Sequence, residues 1–236
     1  EDQWFSTLRH TLKMEEMVTK HSAIMDKYDP QKKVGLIVDE WGAWYDVEPG
    51  TNPGFLYQQS TMRDALVAGI NLNIFNNHAE RVKMANIAQI INVLQSVILT
   101  DKEKMIVTPT FHVFEMFLPH HDATLLPSEL KCADYKFGDN SIPSVSASAS
   151  KGKDGKITIT LCNLNPNTAA DLTCDLQGAK VSKITGRVLT AETIQAHNTF
   201  DKPEVVKPTS FSDFKVSAGG FTVKLPAKSV VVLTVE

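Results

Sequence analysis

Apolar positions in the first third of the chain recur every three or four residues. Trp4, Phe5, Leu8, Leu12, Met17, Val18, Ile24, Met25 and Tyr28 mark one face of a helix that runs to Asp29-Pro30. Pro30 disfavours helical geometry at Asp29 and supplies the stop. Val34-Gly35-Leu36-Ile37-Val38 is then a short apolar run without alternation, which predicts a parallel strand buried on both faces. A second helical pattern extends from Phe55 to about Gly69, after the turn-forming stretch Glu48-Pro49-Gly50-Thr51-Asn52-Pro53-Gly54. Ile70–Ile74 alternates with period two inside this helical neighbourhood. Val82 to Leu94 reads as helix by spacing, and Ser96–Thr100 as another buried strand. Strands alternating with helices predict an α/β layered architecture.

The texture changes between residues 119 and 150. Lys156–Leu161 and Phe221–Leu225 alternate apolar with polar residues, and Ser229–Val235 is a β-branched run. Asn165-Pro166-Asn167, Gly178, Gly186 and Gly219-Gly220 punctuate them as turns, the pattern of a β-sandwich. Ser141–Ser150, rich in Ser and Ala, reads as a linker or a strand edge, and Lys151–Lys156 as a solvated hairpin tip. The two halves are therefore assigned as residues 1–121 and 122–236.

Composition narrows the field. The 236 residues are 42% hydrophobic and 22% charged, with a net charge of −3, so the basic footprint of a nucleic-acid binder is missing. No apolar run reaches the ~20 residues of a membrane span. Three cysteines, Cys132, Cys162 and Cys174, lack metal-ligand spacing and read as free thiols; Cys162 and Cys174 are also candidates to face each other across a hairpin. The chain opens Glu1-Asp2-Gln3-Trp4, with neither an initiator Met nor a signal-peptide pattern, which reads as a processed chain or a piece of a longer one.

The chemistry concentrates in Val38-Asp39-Glu40-Trp41-Gly42-Ala43-Trp44-Tyr45. Two carboxylates end a parallel strand, the edge of an α/β fold where ligands gather. Aromatic rings follow at once, and flat apolar faces suit sugar rings. A glycosidase needs such a carboxylate beside an oxocarbenium-like transition state. The competing reading is a strand-end cap, with Asp39 and Glu40 paired to Lys or Arg.

These residues resemble the nucleophile region of the glycoside hydrolase family 51 α-L-arabinofuranosidases. The resemblance continues through Glu48-Pro49-Gly50-Thr51-Asn52-Pro53, through Asn76–Gln89 and on to Leu225-Pro226-Ala227-Lys228-Ser229-Val230, essentially the whole chain. It implies a fold of two parts, α/β then all-β: the C-terminal portion of a (β/α)8 barrel followed by a C-terminal β-sandwich. Val34–Val38 would be the seventh barrel strand, Ser96–Thr100 the eighth, and Ile70–Ile74 part of a helix. Glu40 would be the catalytic nucleophile, while Trp44 would line the sugar site and Gln89 would hydrogen-bond the arabinose. The family's acid/base is a Glu in an Asn-Glu pair after the fourth strand. No such dipeptide occurs in this chain, and Glu48, Glu80, Glu103 and Glu115 read as loop or solvated helix and turn residues.

The resemblance thus implies a retaining exo-α-L-arabinofuranosidase that carries its nucleophile here and its acid/base elsewhere, needing no metal or organic cofactor. Its partners would be arabinose-containing oligo- or polysaccharides, the missing barrel segment and further copies of itself, in the cytoplasm, the periplasm or outside the cell. An endo-β-glycanase of the same family and a non-catalytic carbohydrate-binding or assembly fragment are the alternatives. His120-His121-Asp122 reads as a solvated junction rather than a metal site, since adjacent histidines diverge. His78 reads as a helix-end residue, and His112 as packing near the end of the barrel part.

Overall fold

The computed structural model describes residues 1–217 and 219–236. Its first half holds α1 (Asp2–Thr11), α2 (Lys13–Tyr28), β1 (Leu36–Trp41), α3 (Met62–Asn77) and β2 (Val82–Ile87). A hairpin, β3 (Ile98–Asp101) with β4 (Lys104–Val107), and α4 (Pro109–Phe117) complete it. The expected first helix is two, meeting at Leu12. It stops at Asp29, whose backbone leaves the helical region (φ −137°) in front of Pro30.

β1 and β2 pair in parallel and α3 connects them, a βαβ unit. Three expectations need correction here. β1 is not buried on both faces: Leu36 to Asp39 alternate between half-buried and exposed and Glu40 is exposed too, because β2 is its one hydrogen-bonded neighbour among the described residues. Residues 82–87 are strand rather than helix. Leu36 pairs with Val82 but Ile37 with Met84, so Lys83 is an extra residue. This bulge spaces the core-facing Val82, Ala85 and Ile87 unevenly and mimics a helical period. The parallel neighbour of β1 is therefore β2. Residues 98–101, within the run expected as the eighth strand, belong instead to an antiparallel hairpin.

Among the described residues the second half contains eleven strands. β5 (Thr124–Leu125), β6 (Asp134–Phe137), β7 (Asn140–Pro143), β8 (Val145–Lys151) and β9 (Ile157–Asn163) come first. β10 (Ala170–Asp175), β11 (Ile184–Leu189), β12 (Thr209–Phe211), β13 (Phe214–Ser217), β14 (Gly220–Leu225) and β15 (Ser229–Val235) follow. One sheet has the order β12-β11-β15-β9-β8-β5 and the facing one β10-β14-β13, with β6–β7 as a separate hairpin. Ser141–Ser150 is thus mostly strand. Between the sheets lie Ile159, Leu161, Phe221, Val223, Val231 and Leu233, the alternate residues of β9, β14 and β15.

The other face of the large sheet is buried too. All seven residues of β9 are buried, including Thr158 and Thr160, whose polarity predicts a solvent-facing side. The covering layer is α3. Twelve of its 16 residues are buried, the mark of a helix enclosed on all sides. A second core joins α1, α3 and α4 to Cys162, Val230 and Val232 of the sheet. The helix comes close at Gly69, where a Cβ would stand 2.6 Å from Cys162 Sγ. Cys162 and Cys174 sit in different sheets, and all three thiols are free.

Polar groups complete this interface. Asn73 Oδ1 accepts from Ser148 Oγ (2.9 Å) and Thr160 Oγ1 (2.6 Å), and Asn77 Nδ2 donates to Ala147 O. His120 belongs to the same network: Nδ1 meets Ser150 Oγ at 2.7 Å and Nε2 meets Thr160 Oγ1 at 3.2 Å. The histidine expected in a solvated junction is therefore part of the buried seam, and burial pulls its pKa down to about 4. Glu115 is likewise not free in solvent; Arg187 of β11 holds both its oxygens at 2.8 Å. Trp4 Nε1 donates to Leu164 O, tying α1 to the sandwich.

Two outcomes test this seam. Ala normally stabilises a helix interior over Gly by about 1 kcal/mol, whereas overpacking costs about 1–3 kcal/mol. Gly69→Ala is expected to lower stability by about 1 kcal/mol in chemical unfolding, and to become neutral or stabilising in a Cys162→Ala background. Equal effects in both backgrounds would refute the contact. For His120, the folded pKa lies below its ordinary ~6.5, so its contribution is complete above pH 6.5 and is lost as pH falls toward 4. Between those limits stability is expected to fall by on the order of 1–3 kcal/mol, and His120→Gln should flatten that part of the profile. An unchanged slope would show that other groups set it.

Candidate functional site

Parallel pairing brings the carboxyl ends of β1 and β2 side by side. Trp41 pairs with Ile87, and Ala88 N–H donates to Trp41 O at 2.9 Å. Glu40 and Gln89 therefore lie at one end of the pair, and both are exposed. A second bulge determines how Glu40 is presented. Val38 pairs with Ala85 and Trp41 with Ile87, so three steps on β1 oppose two on β2. Leu36, Val38 and Trp41 all pack into the helix-side core, which strict alternation would not permit for Val38 and Trp41 together. The extra residue lies in Asp39-Glu40. Such bulges re-aim side chains where a strand meets a site.

Trp41 anchors the bulge. It is 4% exposed, stacks on Phe114 with centroids 5.9 Å apart, and meets Phe75 edge-on at 5.6 Å. The ring directly after the carboxylates is thus core. Gly42 follows with φ +141°, and a Cβ there would stand 2.8 Å from Gln95 Cγ. Gln95 is fully buried, and its Nε2 donates to Asp64 Oδ1 at 2.7 Å. Asp64 also closes the capping box of α3, accepting from Thr61 N–H at 2.7 Å. The start of α3 and the turn after Glu40 are therefore fastened to the same carboxylate.

The aromatic loop has its own clamp. Buried Gln58 donates from Nε2 to Ala43 O (3.0 Å) and accepts at Oε1 from Tyr45 N–H (2.8 Å). Arg63 lies 3.8 Å from the centroid of the Tyr45 ring. Burial, and then the Asp64 charge, push the Tyr45 phenol above its ordinary range. Trp44, held between these clamped neighbours, is 70% exposed. It borders a pocket of about 360 Å³ that opens toward α1 and α2, with Thr7, His10, Met14 and Ala43 in the wall. Glu40 and Gln89 do not line that pocket. The structure thus groups Glu40 with Gln89 and sets Trp44 on the adjoining loop.

The remaining candidates have structural partners. Glu48 Oε1 accepts from Gln59 N–H at 3.1 Å, and Glu80 pairs with Lys32. His78 caps the end of α3 and meets Glu15 at 2.6 Å. His112 is half-buried on α4, and burial lowers its pKa. Among the described residues no cluster of three or more His, Cys, Asp or Glu side chains could hold a metal, and no helix is long and apolar enough to cross a membrane. Sequence reasoning missed Gln58, Asp64 and Gln95. The pair Thr61 and Asp64 was readable as a capping box, but nothing local marks the two glutamines.

Residues 39–229 match the family model of the α-L-arabinofuranosidase C-terminal domain. An intracellular exo-α-L-arabinofuranosidase of Bacteroides ovatus is 48% identical over the whole chain, which covers 46% of that relative. A crystal structure of the GH51 arabinofuranosidase from Xanthomonas axonopodis pv. citri superimposes with a TM-score of 0.97 and 51% identity, over 99% of this chain and 47% of that one. The α-L-arabinofuranosidase from Thermotoga maritima in its arabinose complex shares the fold, with a TM-score of 0.84 and 24% identity, over 100% and 50% of the two chains. The chain spans about half the length of the relatives it matches.

Proposed function

The chain belongs to the family 51 α-L-arabinofuranosidases, as their C-terminal domain, and on that premise we propose that it supplies the nucleophile of a retaining exo-α-L-arabinofuranosidase. The observation that carries the reading is the bulge at Asp39-Glu40. It keeps Trp41 in the helix-side core and leaves Asp39 and Glu40 exposed at the carboxyl end of the parallel pair, the same end that Gln89 follows on β2.

In the proposed reaction the Glu40 carboxylate attacks the anomeric carbon of a terminal arabinofuranose. The glycosidic C–O bond breaks as an acid protonates the leaving oxygen. Water, deprotonated by the same group, then displaces Glu40 and releases arabinose. That acid/base would come from the part of the enzyme outside this chain, its carboxyl about 5–5.5 Å from Glu40 in a retaining pair. Gln89 would hydrogen-bond the sugar and Trp44 would close one side of its site. The chemistry needs two carboxylates and no cofactor.

Residues 1–121 would form the last part of the barrel, and 122–236 the sandwich. The surface next to Glu40 supports this division. Ile37 and Met84, paired across β1 and β2, are 45% and 54% exposed, an apolar face suited to the interior of a closed barrel. The remaining barrel strands would cover it, and this chain alone would turn over arabinosides negligibly. The substrates would be arabinose-bearing oligo- or polysaccharides. Assembly of the enzyme into a homo-oligomer belongs to the same proposal.

Stereochemistry tests the role of Glu40 in the full-length enzyme. With an activated arabinoside and azide, Glu40→Gly is expected to give the arabinosyl azide of inverted configuration, by single displacement. The retained azide would make Glu40 the acid/base. Inversion by Asp39→Gly, with near-normal turnover by Glu40→Gly, would move the nucleophile to Asp39.

A further inference from the structure

A second pocket, of about 240 Å³, lies on the carboxyl side of β1 and β2 and includes neither Glu40, Trp44 nor Gln89. Three separate segments meet there. The loop from β1 to α3, which also carries Trp44, brings Phe55 and Tyr57. The segment after β2 brings Asn92, which clamps Thr100 of β3. The sandwich loop between β11 and β12 brings Phe200.

Hydrogen bonds fix each of the three segments. Asn52 Oδ1 accepts from Gly54 N–H at 3.0 Å and caps the 3₁₀ turn Pro53–Phe55, which presents Phe55 at 70% exposure. Glu48 N–H donates to Tyr57 O at 2.9 Å, closing the loop. Asn92 is fixed to Thr100 by three hydrogen bonds, one of them Asn92 Nδ2 to Thr100 Oγ1 at 2.7 Å. The Phe200 loop is anchored by Asn198, whose Nδ2 donates to Val107 O and Val206 O at 3.0 Å.

The lining is chemically specific. Three aromatic rings stand with Thr51, Asn52, Asn92 and Thr100, and no charged side chain is among them. Because Thr100 Oγ1 accepts from Asn92, its own proton is left to donate into the pocket. Asn52 uses Oδ1 for its cap, and among the described residues its Nδ2 has no partner. Rings with neutral donors fit a neutral polyhydroxylated ring, with C–H faces against the aromatics and hydroxyls toward the amide and the hydroxyl. The volume falls below the ~300–1,000 Å³ typical of drug-sized sites, which suits one monosaccharide unit.

We propose that this pocket, resting on the functional reading above, binds a sugar unit of the substrate chain on the leaving-group side of the cleaved linkage. A ring seated there is not the one Glu40 attacks, since Glu40 is outside the lining. One loop carries both positions: Gln58, three residues after Phe55, hydrogen-bonds Ala43 and Tyr45 on either side of Trp44. The pocket would favour oligomeric over aryl arabinosides.

The test compares Phe55→Ala and Phe200→Ala with wild type in the full-length enzyme, on α-1,5-arabinotriose and on 4-nitrophenyl α-L-arabinofuranoside. The readout is the ratio of kcat/KM on the triose to that on the aryl substrate. Both variants are expected to lower it fivefold or more, and Phe55→Trp to restore it within twofold. A change below fivefold overturns the proposal, including the case where both substrates lose activity equally. If the wild type hydrolyses neither substrate, the functional reading fails instead. Calorimetric titration with arabinotriose then decides the pocket: affinity at least fivefold weaker in Phe55→Ala keeps it, while equal affinity or no binding by wild type removes it.

Discussion

The burial of α3 on two sides at once is the constraint on which the rest depends. One side lies against the large sheet, so closely that Gly69 leaves no room for a methyl group beside Cys162. The other side receives α1, α4 and the inward residues of β1 and β2. The βα half and the sandwich therefore share a core, although their patterns along the chain differ. A helix that were apolar on one stripe alone would bury only one of these layers. Polar residues such as Asn73 are tolerated because Ser148 and Thr160 meet them with complementary hydroxyls.

From that fixed helix the candidate site follows in short steps. Asp64, in the first turn of α3, caps the helix and holds Gln95, and Gln95 fills the space that Gly42 leaves open. Trp41 wedges between Phe75 of α3 and Phe114 of α4. Arg81, just past α3, is 1% exposed. It joins Asp26, Asp29 and the Val34 carbonyl, fixing the entry to β1. Both ends of β1 are thereby set by α3 and the residues following it. The bulge at Asp39-Glu40 lies between these anchors, so its geometry is imposed from the core side rather than by groups around the carboxylate.

Much of this was legible in the sequence where a signal was local. The stop at Asp29-Pro30, the sandwich strands β9, β14 and β15, and the hairpin tip at 151–156 all lie where patterning put them. The failures have separate physical causes. The bulge at Lys83 broke the two-residue period, so β2 read as helix. The apolar run of β1 read as buried on both faces because its pattern does not show that β2 is its one hydrogen-bonded neighbour among the described residues. His120, Thr158 and Thr160 looked solvent-facing because a polar interior seam has the composition of a surface. The resemblance supplied Glu40, Trp44 and Gln89. Pairing of β1 with β2 puts Glu40 and Gln89 at the same end of the strand pair, whereas Trp44 is held on the neighbouring loop by a clamp, Gln58, that no spacing rule marks.

The central claim is that Glu40, and not its equally exposed neighbour Asp39, is the nucleophile. Covalent labelling measures this most directly. The full-length enzyme would be inactivated with an arabinofuranose-configured epoxide, digested, and the modified residue located by tandem mass spectrometry. The account predicts one added inhibitor mass, as an ester on Glu40 formed by opening of the epoxide, with arabinose slowing the inactivation. A label on Asp39, or on any carboxylate outside the Val38–Tyr45 segment, would contradict it.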